Sequence, residues 1–99
     1  MVTVEAAIAV SALLVAMWLA ANGLTAVIEQ MRCTDAAREA ARLAARGERQ
    51  RGEAAVAEIA PGATVVIHLD PDAVEVVVSK RGPLGLPLSA RAFAVPEPR

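Results

Sequence analysis

Hydrophobic and polar positions divide the chain into a long apolar run, an alanine- and arginine-rich middle, and a valine-rich end. No charged residue occurs from 6 to 28. About 23 helical residues at about 1.5 Å each would extend about 35 Å, enough to cross a hydrocarbon core of about 30 Å. The pattern predicts a transmembrane helix over residues 1–28, with the acidic residue Glu5 at its start. The polar exceptions within the run are Ser11, Asn22 and Thr25.

The apolar run is interpreted as a retained anchor rather than a cleaved secretory signal. It is longer than the apolar core of a typical signal peptide, no Lys or Arg precedes it, and no small-residue cleavage site follows it. The hydroxyl groups of Ser11 and Thr25 can donate to helical carbonyls, which limits their cost in lipid. The pair Asn22-Gly23 allows either a local bend or simple tolerance near the membrane boundary.

The middle of the chain predicts that the same helix continues beyond the membrane as a stem over residues 29–51. Its residues are good helix formers, and the first glycine is Gly47. Gly47 is the expected first break and Gly52 a second. Residues 52–62 are then a linker or short helix, which Pro61-Gly62 ends.

Charges and small residues lie on different sides of this stem. Asp35 with Arg38, and Glu39 with Arg42, have the i,i+3 spacing of ion pairs, and Arg46 extends an arginine stripe. The stripe is either a solvated face or a contact with lipid headgroups. The small apolar side either covers the protein's own sheet or contacts neighbouring subunits, because small residues let another backbone approach closely. Its members are Ala36, Ala37, Ala40, Ala41, Leu43, Ala44 and Ala45.

The last stretch, 63–99, predicts a small antiparallel sheet. Asp70-Pro-Asp72 is a turn signal between the first two runs, and Val74, Val76 and Val78 alternate onto one face. A two-stranded hairpin is marginal alone, so the sheet needs the stem helix against it. The predicted fold class is α+β: a long N-terminal helix packed on a three-stranded antiparallel sheet. The expected strands are 63–69, 73–79 and 88–95.

Composition excludes several functions. Aromatic residues make up 2% of the chain and its net charge is −1, which argues against base-stacking platforms and a nucleic-acid partner. His68 is expected on the surface of a strand, and Gly82-Pro-Leu-Gly85 lacks the lysine and helix of a phosphate loop. The sequence therefore predicts no enzyme, no cofactor and no metal site. Cys33, the single cysteine, is either a small apolar residue or a thiol for an intermolecular disulfide or lipid.

The opening Met1-Val-Thr-Val-Glu5-Ala-Ala-Ile-Ala-Val10 resembles the mature N-terminus of type IV pilins and pseudopilins. Together with Cys33-Thr-Asp-Ala-Ala-Arg-Glu-Ala-Ala-Arg-Leu-Ala-Ala-Arg-Gly47, it resembles TadE-like minor pseudopilins of the tight-adherence, or Flp-type, pilus systems. The resemblance covers the first half of the chain well and the second half in general layout. It implies a pilin-like fold and a structural or assembly role in a pilus or secretion system.

The family carries a short basic leader, which a prepilin peptidase removes just after a glycine. The printed sequence starts without that leader, and Glu5 falls at the family's fifth mature position if Met1 is the first mature residue. The resemblance implies that Glu5 meets the α-amino group of Met1 on a neighbouring subunit. The implied partners are other pilin or pseudopilin subunits, the membrane assembly platform, the lipid bilayer and, where a leader exists, the peptidase.

Two arguments give opposite orientations of the chain in the membrane. Arginines follow the apolar run and no basic residue precedes it, so the positive-inside rule alone would place the C-terminal part in the cytoplasm. The resemblance implies a single-pass protein of the cytoplasmic membrane with its C-terminal part outside the cytoplasm. A basic leader before the apolar run would make the positive-inside rule agree with that orientation. The resemblance also implies incorporation into a surface pilus. We follow the resemblance. The alternative function is a single-pass, membrane-anchored module for protein interaction, with no pilus role.

Overall fold

The computed structural model describes residues 2–96 and shows the predicted α+β fold. Helix α1 leads into a shorter helix α2, and a three-stranded antiparallel sheet follows. A short 3-10 turn at Pro83–Gly85 joins the last two strands. The elements are α1, Val2–Ala45; α2, Arg49–Ile59; β1, Thr64–Leu69; β2, Val74–Arg81; and β3, Pro87–Ala94.

Helix α1 runs unbroken for 44 residues, through Asn22-Gly23. The side-chain amide of Asn22 donates to the carbonyl of Trp18 at 2.8 Å. The hydroxyl of Thr25 donates to the carbonyl of Ala21 at 3.0 Å. Both polar groups therefore bond to the helix itself, as expected for Thr25, and Asn22-Gly23 is tolerated without local unwinding.

Gly47 ends the first helix, as predicted. It has a positive φ of 83°, which glycine adopts without a Cβ penalty. The amide of Glu48 donates to the carbonyl of Leu43 at 2.9 Å, and that of Gly47 to Ala44 at 3.0 Å, in the pattern of a Schellman motif. The stem helix thus ends at Ala45, earlier than the predicted boundary at 51.

The prediction of a second break at Gly52 was wrong. Gly52 is buried inside α2, which occupies Arg49–Ile59 where the sequence predicted the end of the stem and then a linker or short helix. A Cβ at Gly52 would lie 3.1 Å from the carbonyl oxygen of Ala40. Glycine at this position therefore allows α2 to approach the backbone of α1 closely, rather than interrupting a helix.

The strands pair antiparallel in the order β1-β2-β3. Their bounds agree with the predicted runs to within two residues, and Val74, Val76 and Val78 are buried on one face as expected. In the middle row of that face, Ile67 pairs with Val76, and Val76 pairs with Ala92.

The alanine-rich side of α1 covers the sheet, so this side is the protein's own core and not a free subunit contact. Ala36, Ala37 and Ala40 are fully buried, and they pack with the inward-facing valines of β2. Small side chains bring the helix close to the sheet, which suits a core that holds few large residues. Only the second half of α1 takes part, and the molecule extends 76 Å along its long axis.

Candidate assembly surface along the exposed helix

The first half of α1 presents apolar side chains to its surroundings on every side. We call residues 6–28 the apolar segment. It belongs to a helix long and apolar enough to cross a membrane, and none of the residues in its most apolar window is buried within the chain. The segment is thus compatible with a single-pass membrane anchor. Its large exposed side chains are Ile8, Val10, Leu13, Leu14, Val15, Met17, Trp18, Leu19, Leu24, Val27 and Ile28.

Glu5 lies in the first turn of α1, one residue before the apolar segment. A carboxylate at this end of a helix interacts favourably with the positive end of the helix dipole. Within residues 2–96, Glu5 has no ion-pair partner. Met1, the other residue predicted for the assembly contact, lies outside the described residues. The structure therefore places the acid at the tip of an exposed apolar rod and leaves its pairing as a prediction.

Two contacts join the end of the apolar segment to the sheet. Lys80 on β2 forms an ion pair with Glu29 at 2.5 Å, and the two side chains are 20% and 17% exposed. The side-chain amide of Gln30 donates to the carbonyl of Ser89 on β3 at 2.7 Å. The hydrogen bond from Lys80 lowers the pKa of Glu29 below its usual value, outweighing partial desolvation. The sheet is therefore attached to α1 directly beyond Ile28.

Sequence spacing could not reveal this attachment. Lys80 lies 51 residues from Glu29, and Ser89 lies 59 residues from Gln30. The local signal that was available, i,i+3 spacing, identified only surface pairs. Lys80 is the single lysine in the sequence and directly follows the predicted strand 73–79. That was the one hint of a specific role.

The arginine stripe is exposed, which both a solvated face and a contact with lipid headgroups require. Arg42 pairs with Glu39 at 2.7 Å, which confirms that predicted pair. The other predicted pair is absent from the described residues: Asp35 and Arg38 are both exposed and no ion pair joins them. Long exposed side chains gain little from such pairing and lose rotamer entropy, so spacing alone does not ensure the contact.

Cys33 is fully buried between α1 and the sheet. Burial raises the pKa of the Cys33 thiol above its usual value, so little reactive thiolate forms. This position fits the interpretation of Cys33 as a small apolar core residue, and offers no exposed thiol for a disulfide or a lipid. His68 lies exposed on β1 opposite Glu75 on β2, as expected for a surface strand residue.

Comparison with known proteins gives one informative relative. No family model matches the chain, and no solved structure matches it. The relative is apoptosis inhibitor Rv3655c of Mycobacterium tuberculosis, which is 44% identical over 97 residues, covering 95% of this chain and 78% of the relative. Identity at that level over almost the whole chain includes the apolar segment, the stem and the sheet. The chain therefore belongs to the same protein family as apoptosis inhibitor Rv3655c.

Proposed function

We propose that the protein is a minor pseudopilin of a tight-adherence type pilus or secretion system. In this proposal it is held in the cytoplasmic membrane by its apolar segment, with the sheet outside the cytoplasm, until assembly withdraws it. Its neighbours are other pilin or pseudopilin subunits and the membrane assembly platform. A prepilin peptidase acts on it where a basic leader precedes the mature chain.

The observation that most supports the proposal is the contrast between the two halves of α1. The second half is buried against the sheet, whereas the first half is exposed on all sides and apolar. One unbroken helix can thus exchange lipid for neighbouring helices without any change in the sheet. Such an exchange suits a subunit that moves between a bilayer and a helical bundle.

Glu5 supplies the specific contact in this proposal. Inside a bundle of apolar helices, an ionised carboxylate is costly unless an opposite charge meets it. The α-amino group of Met1 on a neighbouring subunit is such a charge, and Met1 is four residues from Glu5 in the sequence. Pairing between the two would fix the axial position of one subunit against the next.

The name of the relative, apoptosis inhibitor, describes an effect and specifies no molecular activity. It is compatible with a structural subunit and also with the alternative function, a membrane-anchored module that binds another protein. In the alternative, Glu5 has no special role, because the apolar segment only anchors the chain. The two functions therefore differ in what they expect of a Glu5 variant.

The test compares Glu5→Ala with Thr3→Ala, a matched control that shortens an exposed polar side chain in the same first turn. Both variants should enter the membrane fraction normally, since neither alters residues 6–28. Removing one partner of a buried ion pair costs about 3–5 kcal/mol. At tenfold per about 1.4 kcal/mol, incorporation of Glu5→Ala into sheared surface filaments should fall by at least about 100-fold.

Incorporation is measured by quantitative mass spectrometry of the filament fraction from cells of the source organism. Thr3→Ala should be incorporated like the unaltered chain. Equal incorporation of Glu5→Ala would refute the role proposed for the acid. If the unaltered chain is absent from sheared filaments and from cross-linked assembly complexes, the interaction module is the better description.

A further inference from the structure

The turn between β2 and β3 exposes two leucines. We call residues 82–86, Gly82-Pro-Leu-Gly-Leu, the leucine turn. Leu84 is 59% exposed and Leu86 is 48% exposed. A short turn in water usually carries polar residues, so two exposed leucines in five positions are unusual for a solvated turn.

The leucine turn lies at the end of the sheet that is nearest to the apolar segment. Lys80, two residues before the turn, contacts Glu29, and Ser89, three residues after it, contacts Gln30. The opposite end of β3 lies far along α1, where Ala92–Val95 line a groove with residues such as Ala41 and Ala45. Strand β3 thus runs away from the apolar segment, and the turn that precedes it points towards the membrane side.

The turn also lies close to the last residues of the apolar segment, because it begins two residues after Lys80, which contacts Glu29 directly beyond Ile28. It contacts α1 directly. Ala26, one helical turn before Gln30 on the same face, is half-buried, whereas its neighbours Leu24 and Val27 are exposed. If Ile28 marks the edge of the hydrocarbon, the leucine turn lies at the level of the headgroups and the first acyl carbons.

The backbone at Leu84 adds to the argument. Leu84 has φ 61° and ψ 20°, in the left-handed region, where a Cβ is unfavourable and glycine is preferred. A leucine at this position in water would have both a strained backbone and an exposed apolar side chain. Contact with lipid would remove the second of these costs, because burial of a leucine side chain is favourable.

The flanking charges suit the same surroundings. Arg81 immediately precedes the turn and is exposed, and the side chain of Arg32 on α1 is 52% exposed. Arginine side chains near a bilayer extend their guanidinium groups to the headgroup phosphates, and each attracts anionic lipid. Apolar side chains with adjacent arginines are the pattern of an interfacial membrane contact.

We propose that the leucine turn is a second membrane contact, in which Leu84 and Leu86 enter the boundary between the headgroups and acyl chains of a bilayer containing anionic lipid. The proposal rests on the membrane anchoring proposed above. It means that the sheet lies against the bilayer and is not held away from it. Withdrawal of the subunit from the membrane would then have to release both the helix and this turn.

The test uses the full chain in vesicles of brominated phosphatidylcholine and phosphatidylglycerol, with the bromines near the headgroup end of the acyl chains. Trp18 is the single tryptophan, so Trp18→Phe provides a dark background. Leu86→Trp in that background reports the turn at an ordinary backbone position, and Leu84→Trp is a second reporter. Leu69→Trp is the matched control, because Leu69 is 53% exposed at the opposite end of the sheet.

Bromine quenches tryptophan fluorescence only at short range. We expect a several-fold loss of fluorescence for Leu86→Trp and Leu84→Trp relative to unbrominated vesicles, and little loss for Leu69→Trp. If the two turn reporters are quenched no more than Leu69→Trp, the leucine turn does not enter the bilayer. A loss for all three reporters alike would also overturn the proposal, since contact would not be specific to the turn.

Trp18 itself separates failure of this proposal from failure of the anchor. In the otherwise unaltered chain, Trp18 should be quenched by bromines placed deep in the acyl chains. Quenching of Trp18 without quenching of the turn reporters would leave the anchor intact and refute the second contact. Absence of both signals would refute the anchor, and the second contact with it.

Discussion

Glu29 and Lys80 form the contact that joins the end of the apolar segment to the sheet, and both side chains are mostly buried. Arg32 lies on the same side at 3.6 Å from Glu29, so two cations favour the ionised carboxylate. The hydrogen bond from Lys80 is the largest cause of the lowered pKa. The charge state of a single residue therefore affects how firmly the sheet is attached to α1.

The pH dependence of stability follows from that lowered pKa. Because Glu29 has a lower pKa in the folded chain than its ordinary value of 4.5, its contribution is complete above that value. The contribution is lost as the pH falls below 4.5 and through the lowered pKa. We expect Glu29→Gln to lower the thermal unfolding midpoint at neutral pH and to reduce its fall under acid conditions.

The measurement is circular dichroism of the full chain in detergent micelles between neutral and acid pH. Glu39→Gln is the matched control, because it removes a carboxylate from a more exposed pair with Arg42. The control should change the midpoint little, since exposed pairs contribute about 0–1 kcal/mol. Equal effects of the two variants would show that the contact between Glu29 and Lys80 contributes no more to stability than the more exposed pair.

The sequence correctly predicted the roles of those residues whose contacts are with neighbours along the chain. The turn at Gly47, the hydrogen bond of Thr25 and the alternating valines of β2 all follow from neighbours along the chain. Cys33 and Gly52 could not be interpreted in the same way. Their surroundings come from the sheet and from Ala40, which local spacing does not specify.

Helices and strands were predicted well where one pattern continues for many residues. The apolar segment and the run of alanines form a single helix, and β-branched residues mark β1 and β2. The error was the interpretation of Gly52 as a break, since glycine is also a residue of close helix contacts. Only the position of α2 against α1 distinguishes the two uses.

Gly52→Leu tests the close contact between the two helices. A side chain there must displace the backbone of Ala40, because a Cβ alone would already lie at 3.1 Å from its carbonyl oxygen. Overpacking of this kind costs about 1–3 kcal/mol, and the gain in helix propensity of up to about 1 kcal/mol offsets only part of it. The thermal unfolding midpoint of the full chain in detergent should therefore fall.

Gln50→Leu is the control for that variant, because it adds the same side chain at an exposed position of α2. Surface substitutions usually change stability by no more than about 0.5 kcal/mol. A fall in the midpoint for Gly52→Leu alone would locate the effect at the contact with α1. An unchanged midpoint for Gly52→Leu would mean that α2 can move away from α1 at little cost.

The whole molecule has a small covered core at one end and a bare apolar rod at the other. The core could be inferred from the sequence because helix and sheet bury each other's apolar faces within one chain. The partner of the rod could not, since lipid and neighbouring helices both favour apolar side chains. Glu5 is the residue that distinguishes them, and the contact proposed for it involves a second chain.

Two methionines of similar exposure allow the anchor to be tested across the molecule. Met17 is 59% exposed near the middle of the apolar segment, and Met31 is 61% exposed just beyond it. Arginine at the centre of a membrane helix costs about 2.5–3.5 kcal/mol. Met17→Arg should therefore reduce the share of the chain that resists alkaline carbonate extraction, whereas Met31→Arg should leave it unchanged.

The two variants carry the same added charge, so a difference between them reports position alone. Equal extraction of both variants and of the unaltered chain would argue against a membrane-spanning segment at 6–28. Loss of Met31→Arg from the membrane as well would indicate that the spanning region extends further into the stem.

The passage of α1 into the core without a flexible joint has a geometrical consequence. Successive residues of an α-helix are rotated by about 100° about its axis. The angle about the helix axis between any side of the apolar segment and the outer face of the sheet is therefore fixed. One residue inserted near Leu24, between Glu5 and the attachment of the sheet at Glu29, would turn the sheet by about a quarter of a revolution relative to any neighbour that the first part of the helix contacts. The number of residues between Glu5 and Glu29 thereby sets the direction in which the sheet faces, about the helix axis, relative to neighbouring subunits.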